Sequence, residues 1–233
     1  MPPPDAPFRD WWPTTQSLDL VEGACERVAE AVREEFSRFG GQSASIERRG
    51  CHHLNDAFGP ITTFFNVPTS AVLLPTRSKW TVIWYNTFLC DGYDSLCWCL
   101  TSRHSLPTIH WSAHDEWTTF QSASSFHFRK NNGHDVVERC VTAAQTDKKW
   151  DFFAIGAPLV EEDVAGYATR KKRDRLNERR TMELLARLDA KPWVESFYGL
   201  PGDVFTVSRP PVQTMHKRRR EDVLAPYVSH VRA

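Results

Sequence analysis

The stretch Trp80-Thr81-Val82-Ile83-Trp84-Tyr85-Asn86-Thr87-Phe88 consists almost entirely of aromatic and β-branched residues. A run that is apolar at both odd and even positions predicts a strand buried on both faces, in the centre of a sheet. Outward from it, between about residues 43 and 155, similar short runs alternate with Gly, Pro, Asn and Asp. The connections are too short for helical crossovers, which predicts a mostly antiparallel sheet with a meander topology. The predicted strands cover residues 44–49, 61–66, 70–74, 80–88, 95–103, 107–112, 117–128, 136–144 and 149–155.

Helices are predicted on both sides of this β-rich region. Residues 17–39 carry an apolar stripe at steps of three and four, with Asp19 and Glu22 spaced as in a capping box. Residues 161–190 form a second, interrupted helical segment, and a short strand over 203–208 follows. Asp91-Gly92 predicts a hairpin between the central strand and the next one. The fold class is therefore α+β, with a Trp- and Phe-rich antiparallel sheet flanked by an N-terminal helix and a C-terminal helical segment.

The chain of 233 residues fits one domain with appended ends better than two domains. We expect an extended Pro- and Trp-rich arm over residues 1–16, a single α+β domain over 17–208 and a basic tail over 209–233. No apolar run approaches the roughly 20 residues that cross a bilayer, and no secretory signal is recognisable. The six cysteines are therefore expected to be reduced thiols in a cytoplasmic protein that does not enter a membrane.

Potential metal ligands are densest between Cys90 and His114. Within this stretch Cys97, Cys99 and His104 are the candidate ligands of a zinc ion, although the Cys-x-Cys spacing differs from the usual zinc knuckle. The alternative is that the two cysteines are small buried residues in a strand, and the absence of a cofactor is the preferred interpretation.

The candidate catalytic residues are His110, His114 and Asp115. Two histidines with a carboxylate nearby are suited to acid–base chemistry or metal-dependent hydrolysis. The alternative is a structural role for His110 on a solvent-facing strand, with His114 and Asp115 in a polar turn. No Gly-x-Ser-x-Gly, phosphate-binding loop or dinucleotide fingerprint occurs, which argues against the common nucleotide-binding and α/β-hydrolase classes.

Binding residues are predicted in two groups. The first consists of strand tryptophans that exceed what one sheet face can bury, and the second of basic residues in the C-terminal third. Residues 170–233 hold 15 Lys and Arg against 8 Asp and Glu, whereas residues 1–169 hold 14 against 21. The basic runs, residues 170–180 and 217–220, either track phosphates or form a solvated helix face. The predicted binding residues are Trp84, Trp98, Trp111, Trp117, Arg170, Lys171, Lys172, Arg173 and Arg175.

The segment from Trp150 to Glu162, continued by Tyr167 and the residues Arg173-Asp174-Arg175-Leu176, resembles a pattern in uncharacterised bacterial proteins. In that pattern a Trp-x-Phe strand runs through a Gly-x-Pro-Leu turn into an acidic helix start and an Asp-Arg-Leu segment. The resemblance implies a bacterial, intracellular origin and no specific activity.

Three functional hypotheses follow from these features. The first is a non-catalytic protein-binding domain, of which a toxin-neutralising immunity protein is one example. The second is a His- or metal-dependent hydrolase or nuclease centred on His110, His114 and Asp115. The third is a nucleic-acid-associated factor that uses the basic C-terminal third.

Overall fold

A computed structural model describes residues 17–87, 93–114, 123–147, 149–211 and 215–223. Its strands are β1 (Ser17–Glu22), β2 (Ser45–Cys51), β3 (Thr63–Phe65), β4 (Ser70–Pro75), β5 (Trp80–Tyr85), β6 (Thr108–His114), β7 (Ala123–Asn131), β8 (Val136–Thr146), β9 (Lys149–Ile155), β10 (Gly202–Ser208) and β11 (Lys217–Arg219). Its helices are α1 (Cys25–Gly40), α2 (Leu54–Phe58), α3 (Asp94–His104), α4 (Lys172–Arg175) and α5 (Glu178–Arg187), with 3-10 turns at Val164–Ala168 and Glu195–Phe197.

Nine of these strands form one antiparallel sheet in the order β2-β10-β4-β5-β1-β6-β7-β8-β9. The α+β class and the large antiparallel sheet are as predicted, and β6 to β9 form a meander. The centre of the sheet departs from a simple meander, because β1 lies between β5 and β6 and β10 lies between β2 and β4. In β5 every residue is buried, which confirms the central strand.

The sheet carries a hydrophobic layer on each face. Helices α1 and α3 pack on one face of the sheet, which we call the α3 face. Their buried contacts on this face are Val28, Val32, Phe36, Leu96 and Leu100. The opposite face holds most of the large rings and packs against α2 and α5; its buried members include Trp80, Trp84, Trp111, Phe58, Phe64, Phe126, Leu184 and Leu185. Within the described residues no helix is long and apolar enough to span a membrane.

Two predicted elements have a different structure. Residues 17–22, predicted as the first turns of a helix, form β1, and the helix begins at Cys25. Residues 95–103, predicted as a strand, belong to α3, so the predicted hairpin through Asp91-Gly92, which lies outside the described residues, does not lead into a second strand. Burial at Leu96, Cys97 and Leu100 follows helical spacing, and a short apolar run does not distinguish this from a buried strand.

Candidate functional site

A row of side chains crosses four strands on the α3 face. Asp19 of β1 pairs with His110 of β6, His110 with His127 of β7, and His127 with Cys140 of β8. Directly opposed residues of an antiparallel sheet project to the same face with their Cβ atoms about 5 Å apart. The register of the sheet therefore gathers residues that are far apart in the sequence.

Asp19 is the centre of the inner half of this cluster. Its carboxylate is completely buried and accepts hydrogen bonds from His110 Nδ1 at 2.6 Å and from the Tyr85 hydroxyl at 2.5 Å. Burial raises the pKa of Tyr85, and the charge of Asp19 raises it further. Burial opposes protonation of His110, but the neighbouring Asp19 carboxylate outweighs it and the pKa of His110 is raised. The buried carboxylate thus favours an imidazolium partner.

Arg129 of β7 is the centre of the outer half. Its guanidinium binds both oxygens of Asp94 at 2.6 and 2.8 Å and contacts Glu138 at 2.6 Å. It also lies 2.7 and 3.1 Å from the ring nitrogens of His127. Burial alone would raise the pKa of Asp94, but hydrogen bonds from His127 and Arg129 hold it well below its usual value. Through the contact between Asp94 and Arg129, this half of the cluster connects α3 to β7 of the sheet.

Exposure divides the cluster into a closed and an open part. The side chain of Arg129 is 3% exposed, and Asp19 and Cys97 are fully buried. The side chains of Asp94 and Glu138 are 44% and 38% exposed. Groups with perturbed pKa values concentrate at functional sites, but also in structural ion-pair networks. Here the accessible members are the carboxylates of Asp94 and Glu138, and they border an exposed surface.

That surface extends from α3 to the last strand of the sheet. Trp98 lies four residues after Asp94 in α3, on the same side of the helix, and Asp94 contacts Arg129 of β7. Beyond β8, Phe153 and Ile155 of β9 are 55% and 66% exposed. They share the α3 face, because Ile155 pairs with Cys140 in the same row. We call this surface the ledge, and its members are Asp94, Trp98, His127, Glu138, Phe153 and Ile155.

The opposite face of β9 is covered at Phe152. Phe152 stacks at 5.2 Å against Tyr167, and the Arg175 guanidinium lies 5.4 Å from the Phe152 ring centroid. Arg139 and Glu162 form a double hydrogen bond at 2.7 and 2.8 Å that fixes the chain following β9. The chain after β9 therefore covers the face opposite the ledge at Phe152, whereas Ala154 on that face is exposed.

The predicted zinc ligands lie on one helix and contact different partners. Cys97 is buried against Asp19, whereas His104 Nε2 lies 2.9 Å from Glu35 Oε1 and Cys99 is on the same Glu35-facing side. In the described part of the chain no group of three or more His, Cys, Asp or Glu residues is arranged to hold a metal ion. The structure does not bring this predicted set together.

The predicted catalytic residues are also separated. His110 and His114 lie four positions apart on β6, about 13 Å along a strand, and Asp115 lies outside the described residues. The carboxylate partner of His110 is Asp19, and its histidine neighbour is His127. The His110 side chain is 9% exposed. An acid–base role for His110 stays a prediction.

The predicted binding tryptophans have different surroundings. Trp84 is fully buried, 4.8 Å from the Phe58 ring, and Trp111 is 5% exposed, so neither side chain lies at the surface. The reason is that the face opposite α3 accommodates more rings than expected. Trp98 is 45% exposed and belongs to the ledge, and Trp117 lies outside the described residues.

Basic residues of the C-terminal third lie at the surface. Arg170, Lys171, Lys172 and Arg173 are exposed, and Arg175 is half-buried. Lys172 pairs with Asp151 at 2.8 Å and Arg173 with Asp174 at 3.5 Å. The basic strand β11 is exposed along its length and pairs with β3.

Sequence reasoning did not identify Asp19, Tyr85, Asp94, His127, Arg129 or Glu138. A signal for three of them was present, since His127, Arg129 and Glu138 are polar residues within strand-like runs. The sequence pattern predicts a helix cap at Asp19, where the structure has a strand. Comparison of the chain with protein-family models, curated proteins and solved structures gives no match, so the bacterial origin inferred from the resemblance stays a prediction.

Proposed function

We propose that the protein is a protein-binding domain that holds, on the ledge, a partner segment rich in basic and apolar side chains. The observation that carries the proposal is that three large apolar side chains of the ledge, Trp98, Phe153 and Ile155, are exposed on the same face as the half-exposed carboxylates of Asp94 and Glu138. Exposed apolar groups next to polar ones are typical of protein interfaces, and Trp is enriched among the residues that dominate binding energy.

The charges around the ledge favour a basic partner. The side chains of Asp94 and Glu138 are 44% and 38% exposed, whereas the Arg129 guanidinium between them is buried. A partner therefore meets carboxylate oxygens before it meets the positive charge. Lys or Arg side chains of the partner would bind these oxygens, and its apolar side chains would cover Trp98 and Phe153.

An immunity-type protein that neutralises its partner is a narrower form of the same proposal. It requires that the segment bound on the ledge be one that the partner needs for its own activity. The acidic and apolar character of the ledge is compatible with this form.

Peptide selection on the folded protein tests the proposal. We expect a phage-displayed library of random linear peptides to yield ligands that combine Lys or Arg with apolar residues. A synthetic peptide from that selection should bind about tenfold or more weakly to Trp98→Ala, because truncating an exposed Trp at an interface costs more than 1.4 kcal/mol. Isothermal titration calorimetry measures the difference.

Val160→Ala is the matched control, since Val160 is 99% exposed and lies outside the ledge. The control should bind as the wild-type protein does. Selection that yields no peptide on a folded bait, or equal affinity for Trp98→Ala and wild type, would contradict the proposal.

A nucleic-acid partner is a second candidate, favoured by the four consecutive exposed basic residues 170–173. We expect a fluorescent DNA duplex to bind with an affinity that falls steeply with salt, and Lys171→Glu with Arg173→Glu to weaken it about tenfold. Fluorescence anisotropy measures both effects. Lys130→Glu is the control on β7, and binding that is absent or insensitive to salt removes this candidate.

A further inference from the structure

The two edges of the sheet differ in character. On β2 the side chains of Glu47 and Arg48 are exposed, and Arg48 forms an ion pair with Asp203. On β9 the last three residues, Phe153, Ala154 and Ile155, are all exposed and apolar. Charged side chains protect an edge strand from pairing with another chain. On β9 they are Lys149 and Asp151, which pairs with Lys172, so the apolar end at residues 153–155 lacks this protection.

Strand β9 also offers backbone groups. It is the last strand of the sheet order, so the N–H and C=O groups directed away from β8 have no partner strand among the described residues. Chain packed against Phe152 covers part of one face of β9, whereas the ledge face is open. At the end of this edge Phe153 and Ile155 are exposed on the α3 face and Ala154 on the other, and the Ile155 carbonyl accepts a hydrogen bond from Arg139.

We propose that two copies of this chain pair antiparallel through β9, about a two-fold axis beside Ala154. In this register Phe153 of each copy lies opposite Ile155 of the other, on the α3 face of a continuous sheet. Apolar cross-strand pairs of this kind stabilise antiparallel sheets. A two-fold axis uses the same patch on both subunits, which is the commonest arrangement of soluble oligomers.

Pairing through β9 completes the binding surface, and this part of the inference rests on the proposed function. In each copy the ledge is bordered on one side by α3, with Asp94 and Trp98, and this helix forms its wall. Strands β7, β8 and β9 form its floor, which ends at β9. Pairing of the two β9 strands joins the floors and places the α3 helix of the second copy opposite that of the first. The six floor strands span about 24 Å between the two β7 strands, from a spacing of about 4.8 Å. A helix about 10–12 Å in diameter, or an extended segment with its side chains, fits in this trough.

Analytical ultracentrifugation of the full chain tests the pairing without any ligand. We expect the sedimenting mass to approach twice that of the chain as the concentration rises. Ile155→Asp places a charge in the centre of the pairing register and should return the mass to that of one chain. Val160→Asp introduces the same charge at another exposed aliphatic position and should leave the dimer unchanged.

A chain that stays monomeric at high concentration overturns the inference, as does equal dimerisation of Ile155→Asp and wild type. If Ile155→Asp fails to fold by circular dichroism, Phe153→Lys at the same edge is measured instead, with the same expected loss of dimer. The two proposals fail separately. Trp98→Ala should dimerise normally while losing peptide binding, and a monomeric wild-type protein that still binds the selected peptide would refute only the pairing.

Discussion

Replacing Asp19 with Ala should lower the free energy of unfolding by about 4 kcal/mol. The carboxylate is completely buried, and its removal leaves the Tyr85 hydroxyl and His110 Nδ1 without their acceptor in the core. Each buried group that loses its partner costs about 1–3 kcal/mol, and breaking a buried ion pair costs about 3–5 kcal/mol. Urea denaturation followed by circular dichroism measures the change.

Asp19→Asn should lose less, about 2 kcal/mol, because the amide oxygen still accepts one of the two hydrogen bonds. Asp203→Ala is the control, since Asp203 forms an exposed ion pair with Arg48 and should cost less than about 1 kcal/mol. A loss of under 1 kcal/mol in Asp19→Ala would mean that the carboxylate does not hold these donors in solution.

The sequence predicted the secondary structure correctly where the pattern of apolar residues is specific to a strand or to a helix. In β5 the apolar residues at both odd and even positions reflect real burial on two faces, and the stripe of Val28, Val32 and Phe36 reflects one buried helix face. In α3 the pattern was ambiguous, because Leu96, Cys97 and Leu100 are buried at helical spacing within a run of the length and composition of a strand. The helix is selected by packing against β6 and β7, which is a tertiary effect.

The cluster of Asp19, His110, Asp94 and Arg129 could not be predicted from the sequence because it depends on the order of strands in the sheet. Asp19 and His110 are 91 residues apart, and they meet because β1 lies between β5 and β6. A consecutive meander would pair β5 with β6 and leave no place for β1. The contact between Asp94 and Arg129 depends in turn on α3 being a helix. The network could not be predicted because α3 was predicted as a strand and because the position of β1 between β5 and β6 was not predicted.

Replacing Arg129 with Met should destabilise the protein by about 3 kcal/mol at neutral pH. Arg129 is buried and bridges Asp94 and Glu138, and Met keeps much of its apolar length without the charge. The expected loss lies at the lower end of the range for a broken buried ion pair, because both carboxylates are partly exposed and regain water. Arg48→Met at an exposed ion pair is the control and should cost less than about 1 kcal/mol.

The pH dependence separates this electrostatic effect from lost packing. The folded-state pKa of Asp94 is lowered. Its ionised form therefore stabilises the folded protein above the unfolded-state pKa of about 4. This stabilisation is lost as the pH falls from about 4 towards the folded-state pKa. In Arg129→Met a main source of the lowered pKa is absent. The difference in unfolding free energy between wild type and variant should therefore shrink as the pH falls below about 4, as measured by urea denaturation at a series of pH values. A difference that stays constant with pH would show that Arg129 stabilises the fold through packing and not through its contact with Asp94.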